Sequence, residues 1–262
     1  MAKYHATVMA RALSLLAGCA LLLAAGGARA FHPLITEDTG TVGAGNHQLE
    51  LTAELARQSE DGGTVHGAQP AAVYSYGVLE NADVLVGQPW LRIVSEDDAG
   101  RRVITGPLDT SLDFKWRFFE RGGLSFGFKP GITLPTGDDT RGLGAGEPTW
   151  GALLIGTYQT AGAFAFYSHF GYRHFRNTLG WRDSLLHVSG AVAYSPSDKL
   201  RLVADFSADT NPLPEAYGTL RYTVLGMTYS PRPDLDLDAG FKFRENGIVF
   251  DHSLLFGVTF RW

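Results

Sequence analysis

The sequence predicts an all-β fold: a single transmembrane antiparallel up-and-down β-barrel of about 12 strands, with short periplasmic turns and longer extracellular loops. Three observations predict it. From residue 46 onward, runs of alternating apolar and polar residues follow one another, and no stretch holds the 3.6-residue period of an amphipathic helix. The connections between runs are short and long in turn. The chain ends on an apolar strand face with an aromatic residue, Trp262.

The chain has 262 residues, 45% hydrophobic and 19% charged, with a formal net charge of −5. A nucleic-acid binder would be basic, so that class is excluded. Beyond the N-terminus no apolar run reaches the ~18 residues that a helical span needs. The mature chain therefore either is soluble or crosses a membrane as strands. Residues 1–30 read as a cleaved signal peptide: Lys3 and Arg11 are basic, 12–27 are apolar and small, and "ARA" at 28–30 fits a small-x-small cleavage site. A competing detail is "LAGC" at 16–19, a lipoprotein-like box ending at Cys19, but the apolar stretch continues past it. Cleavage after Ala30 removes the only cysteine, and with it disulfide and thiol chemistry. Residues 31–45 then form a short periplasmic segment, and 46–262 the barrel.

The runs cover 46–58, 68–78, 82–94, 107–120, 123–134, 148–160, 162–175, 184–196, 199–210, 216–230, 234–244 and 252–262. An even number suits a bacterial barrel with both ends in the periplasm. After even-numbered runs the connections are short ("ENA", "RG", "A", "SD", "RPD"). After odd-numbered runs they are longer, from "SEDGGTVHG" and "SEDDAGRRVITG" to "PTGDDTRGLGAGE" and "RNTLGWRD". The faces agree. In the first run Leu49, Leu51, Ala53 and Leu55 oppose Glu50, Thr52 and Glu54. In the fourth, Leu108, Leu112, Phe114, Trp116 and Phe118 oppose Asp109, Asp113, Lys115 and Arg117. In the fifth, Leu124, Phe126, Phe128, Ile132 and Leu134 oppose Ser125, Gly127, Lys129 and Thr133. In the ninth, Leu200, Leu202, Ala204, Phe206 and Ala208 oppose Arg201, Asp205 and Asp209. In the eleventh, Leu235, Leu237, Ala239, Phe241 and Phe243 oppose Asp236, Asp238, Lys242 and Arg244. So much charge on one face suits a watery lumen, because a dry core would require every charge to be paired. Runs 82–94, 148–160 and 216–230 alternate poorly and leave their faces open. Pro89 and Pro130 each remove a ladder donor and predict local irregularity.

Every even-numbered run carries a large aromatic near its end: Tyr76, Phe118, Tyr158, Tyr194, Tyr229 and Trp262. Six at the same end predict an aromatic girdle at one membrane interface. In the last run Leu254, Phe256, Val258, Phe260 and Trp262 share the lipid face, with the terminal Trp262 as a signal for the barrel-assembly machinery.

The segment "GPLDTSLDFKWRFFE" at 106–120, followed by "LPTGDD" and "GLGAGEPTWG" within 123–155, resembles the outer-membrane transporter family labelled the MetA pathway of phenol degradation. The resemblance implies a transporter-like barrel and supplies no binding residues.

Three sets of residues carry candidate chemistry. The lumen set is Glu50, Glu54, Asp109, Asp113, Asp205, Asp209, Asp236 and Asp238 against Lys115, Arg117, Lys129, Arg173, Arg201, Lys242 and Arg244, with His169 and His187 also inward. Acids and bases nearly balance, which argues against strong ion selectivity and predicts interdigitated pairs that brace the wall or line a polar path. The loop 134–150, with Asp138, Asp139, Arg141 and Glu147, is long enough to fold inward as a constriction. Its adjacent acids have no fixed ligand spacing, and no metal is assigned. "HVSG" at 187–190 places His187 and Ser189 two apart, as in outer-membrane phospholipase A, but both face the lumen, away from lipid substrate, and "AVAYSPSDKL" further on offers no suitably placed Asn. No cofactor motif is visible. The expected function is passive uptake of small, aromatic or hydrophobic molecules across the outer membrane, with no enzymatic activity. The alternatives are a barrel enzyme of the phospholipase type and a plugged structural or adhesion barrel. The partners are outer-membrane lipid, the assembly machinery and a small solute.

Overall fold

A computed structural model describes residues 32–60, 63–97, 100–214, 218–246 and 252–262. The signal peptide expected over 1–30, and parts of the connections after the ninth and eleventh runs, lie outside the described residues.

The described chain is built from β1 (His47–Glu60), β2 (Gly63–Leu79), β3 (Ala82–Asp97), β4 (Gly100–Pro107), β5 (Thr110–Arg121), β6 (Leu124–Leu134), β7 (Thr149–Gln159), β8 (Phe164–His174), β9 (Ser184–Ser197), β10 (Leu200–Thr210), β11 (Thr219–Arg232), β12 (Leu235–Asn246) and β13 (His252–Arg261). Each pairs antiparallel with its neighbours, and β1 pairs with β13, Leu51 opposite Val258, which closes the sheet. β4 and β5 both pair with β3 and are two halves of one barrel strand, broken at Leu108–Asp109. The fold is therefore the expected closed twelve-stranded barrel. Closure leaves no sheet edge in the wall, as a barrel in lipid requires.

The burial pattern inverts that of a soluble protein. Leu51, Leu55, Phe126, Phe170, Leu186, Phe206, Leu225 and Phe256 are exposed on the outer face, while Glu50, Asp83, Lys115, Lys129 and Asp205 are buried inside. The six girdle aromatics all face outward, from Tyr76 to Trp262, at the rim formed by the short turns. There His47 pairs with Tyr76 and stacks on Trp262 with ring centroids 5.5 Å apart.

Three expectations are corrected and one open point is settled. Residues 31–45 were expected in the periplasm, yet from His32 onward they lie inside the barrel (below). Leu108 was placed on the lipid face. It is buried among Leu91, Leu143 and Phe175, because the break between β4 and β5 resets the alternation. Most of 59–67 and 95–106, expected as loops, are strand: β1–β2 and β3–β4 run on as tall hairpins. Above the bilayer a paired strand needs no apolar outer face, so alternation stops reporting it. Finally, the poorly alternating runs have apolar residues on both faces. Leu85, Leu91 and Ile93 of β3 point inward and Val84, Val86 and Trp90 outward; Leu153 and Ile155 of β7 point inward and Leu154 outward. Pro89 falls where β3 passes from β5 to β4, and Pro130 beside a gap in the β5–β6 register, as expected for residues without a ladder donor.

Candidate functional site: a divided lumen

Residues 32–45 cross the lumen with neither helix nor strand and touch strand after strand. The His32 imidazole meets the Asp238 carboxylate on β12. The backbone N–H groups of Ile35 and Thr36 donate to Oδ2 of Asp205 on β10, at 2.8 and 2.6 Å. The N–H of Glu37 donates to Nδ1 of His169 on β8, at 2.8 Å. The Thr39 hydroxyl lies 2.6 Å from that of Ser125 on β6. Val42 N–H donates to Asp83 on β3.

Glu37 is the centre of this path. Lys115 Nζ lies 2.8 Å from its Oε1 and Lys129 Nζ 2.6 Å from its Oε2; Lys115 also reaches Asp38 at 2.9 Å. All three partners in the Glu37 pairs are buried. Burial alone would raise the Glu37 carboxyl, but the two ammonium groups outweigh it and hold the pKa near 2. Such a pair is strong only because both oxygens find a cation.

Glycines in the wall make room for the segment. Gly226 and Gly240 oppose each other, and a Cβ on either would meet the Pro33 ring, at 2.3 and 2.7 Å. A Cβ on Gly77 would strike the backbone of Gly43 at 1.8 Å.

Several other polar residues of the barrel are paired. Glu54 meets Lys242 at 2.6 Å, and Lys242 sits 5.5 Å above the Tyr222 ring. Asp236 meets Arg261 at 2.6 Å. Gln48 donates to Glu50 at 2.5 Å. His187 meets Asp209 at 2.5 Å, and its ring lies 4.4 Å from that of His169. Asp113, Lys129, Arg173, His187 and Asp209 line one cavity of about 40 Å³. Arg244 is half-buried two residues beyond Lys242. Arg117 lies near the short-turn rim, paired with Glu120 at 3.1 Å.

The segment divides the lumen into unlike halves. Toward the short turns lies a polar vestibule of about 680 Å³, bordered by Asp38, Lys199, Arg201, Asp236 and Arg261. Toward the long loops lies a chamber of about 200 Å³ whose apolar lining includes Leu91, Leu108, Leu143, Phe175, Leu179 and Leu255. The loop after β6 closes over this chamber. Asp109 accepts from the backbone of Gly137 and Ala145, at 2.9 and 2.7 Å, and this fixes Leu143 inward. The charged loop residues lie elsewhere: Asp138 and Arg141 are exposed, Arg141 donates to Thr105 O at 3.1 Å, Asp139 accepts from Thr178 at 2.9 Å, and Glu147 is half-buried. The loop thus meets the lumen through Leu143 and Ala145 rather than through its charges.

Sequence reasoning missed two parts of this site, the segment 32–45 and the apolar chamber. The signals were the inward glycine pair Gly226–Gly240 and the strands apolar on both faces. The phospholipase-like pair does not assemble: Ser189 Oγ and the Nε2 atoms of His169 and His187 make no hydrogen bond within the described structure. Among the described residues no cluster of His, Cys, Asp or Glu is arranged to hold a metal.

A closed barrel of twelve strands, apolar outside and polar within, is of the outer-membrane β-barrel class. The profile of the family described as "Putative MetA-pathway of phenol degradation" matches residues 32–262, and the chain belongs to that family. Its fold is similar to that of the COG4313 outer membrane channel from Pseudomonas putida F1 (TM-score 0.66, 14% identity, 86% of this chain and 98% of that one). It is also similar to the NanC porin (TM-score 0.56, 10% identity, 81% and 98%) and to the translocator domain of the autotransporter NalP from Neisseria meningitidis (TM-score 0.51, 16% identity, 84% and 89%). No curated protein matches the chain in sequence.

Proposed function

We propose that this protein admits small apolar molecules, of the size of one aromatic ring, passively across the outer membrane. The observation that carries the reading is the chamber of about 200 Å³ at the long-loop end. A dry apolar cavity of about 150 Å³ is enough to bind benzene. The chamber sets Leu and Phe side chains beside a smaller polar part of the lining that includes Glu37, Glu54, Asp109, Arg173 and Lys242. A sugar would give up hydration of its ring hydroxyls against Leu91, Leu143 and Phe175, whereas an apolar ring loses little there. The naming of the COG4313 structure as a channel and the phenol-degradation label of the family fit this reading. Export through a cleaved signal peptide over 1–30, and delivery to the assembly machinery through Trp262, complete the proposal.

The test is single-channel recording of the folded protein in a planar bilayer with monoaromatic acids or sugars added. Block by the aromatics and not by the sugars is expected. Block by sugars alone contradicts the apolar chamber as the solute site. Leu108→Gln combined with Leu143→Gln should weaken aromatic block about tenfold, since two buried apolar contacts are replaced by amides.

A further inference from the structure

The outer wall carries two arginines that passage through the lumen does not use. Arg57 lies between Ala56 and Gln58, both buried, so it points outward with Leu51 and Leu55. Arg92 lies between Leu91 and Ile93, both buried, and points outward with Val86 and Trp90. Both are exposed, and neither makes a hydrogen bond or ion pair with a described residue.

Their depth is the same by two measures. β1 and β3 both rise from the short-turn rim, and Arg57 and Arg92 are each the eleventh residue of their strand. A tilted membrane strand takes about 9–11 residues to cross the apolar layer. Trp90, two residues below Arg92, is exposed on the outer face and donates its indole N–H to Thr105 at 3.2 Å, as an interfacial aromatic does. The guanidinium groups thus emerge at headgroup level, on the side of the long loops.

Register brings them into one patch. Arg57 pairs across β1–β2 with His66, and Ala68 pairs with Arg92. Two strand spacings and a two-residue offset separate the Cα atoms by about 12 Å, which two long side chains close from either side. His252 pairs with Arg57 on the other flank. The nearby outward acid Glu96 is already paired with Arg101 at 3.1 Å. The patch is therefore cationic, faces lipid and is bordered by apolar side chains.

We propose that the outer surface of β1–β3 binds the phosphate groups of a phosphorylated glycolipid of the outer leaflet, lipid A, through Arg57 and Arg92. Guanidinium meets phosphate in a bidentate fork that an ammonium cannot form. The acyl chains of the same lipid would lie on Leu51, Leu55 and Val86 below.

Native mass spectrometry of the folded protein in detergent tests this, with bisphosphorylated lipid A, lipid A stripped of both phosphates, phosphatidylglycerol and inorganic phosphate as probes. Retention of bisphosphorylated lipid A is expected, with Arg57→Gln or Arg92→Gln each weakening it about tenfold, the scale of one charge-assisted pair. Arg121→Gln, at the short-turn rim and outside the patch, should change nothing. Equal retention of phosphate-free lipid A, of phosphatidylglycerol or by the double variant would overturn the proposal, as would equal competition by inorganic phosphate. If the double variant fails to fold, the phosphate-free lipid on the unaltered protein decides the matter alone.

Discussion

Glu37 decides how the lumen is filled. Its two oxygens meet Lys115 and Lys129, both of them buried. Replacing it with Gln takes the Glu37 carboxylate from two buried ammonium groups, of which Lys115 keeps Asp38, a change that costs about 3–5 kcal/mol in comparable pairs. Glu37→Gln should therefore loosen residues 32–45 and raise single-channel conductance several-fold, while the barrel itself still folds. Unchanged conductance would show that the clasp does not hold the segment. The pH dependence has a definite sign. The folded pKa near 2 lies below the ordinary 4.5, so the stabilisation is complete above about pH 4.5 and is lost as pH falls toward 2. Conductance of the native protein should rise across that interval and stay flat from pH 5 to 8; the Gln variant should lack the acid step.

At the scale of elements, the segment and the wall fit each other through backbone. Gly240→Val would put a side chain where the Pro33 ring rests, 2.7 Å from its Cβ. Valine suits a strand better than glycine does. The variant should thus assemble as a barrel, seen by heat-modifiable gel migration, yet expose residues 32–45 to proteinase K; continued protection would remove the glycine berth from the account. The strands themselves were legible in the sequence because lipid outside and charge inside enforce a two-residue period. Legibility failed where that contrast vanished. In β3 and β7 the lumen is as apolar as the lipid, so Leu91 and Leu154 give the same signal from opposite faces. In the β3–β4 hairpin above the bilayer, no lipid constrains the outer face. Residues 32–45 have no period at all, since their backbone is paired by side chains of the wall and not by a ladder.

Over the whole molecule, the apolar band and the polar interior define a membrane barrel whose lumen is charged in the middle and apolar above. Phe206, 58% exposed near the middle of β10, faces outward. Phe206→Arg should destabilise the folded barrel by about 2–4 kcal/mol in denaturant titrations from bilayers, as a charge at the midplane does; no loss would place this face outside the bilayer. The central claim, that small apolar solutes enter through the upper chamber, is tested most directly by uptake of a radiolabelled monoaromatic into cells with an intact outer membrane. Cells producing the native protein should take it up faster than cells lacking it, and cells producing the Leu108→Gln, Leu143→Gln protein at matched surface levels should fall back to the rate without protein. Equal uptake in all three would contradict the account.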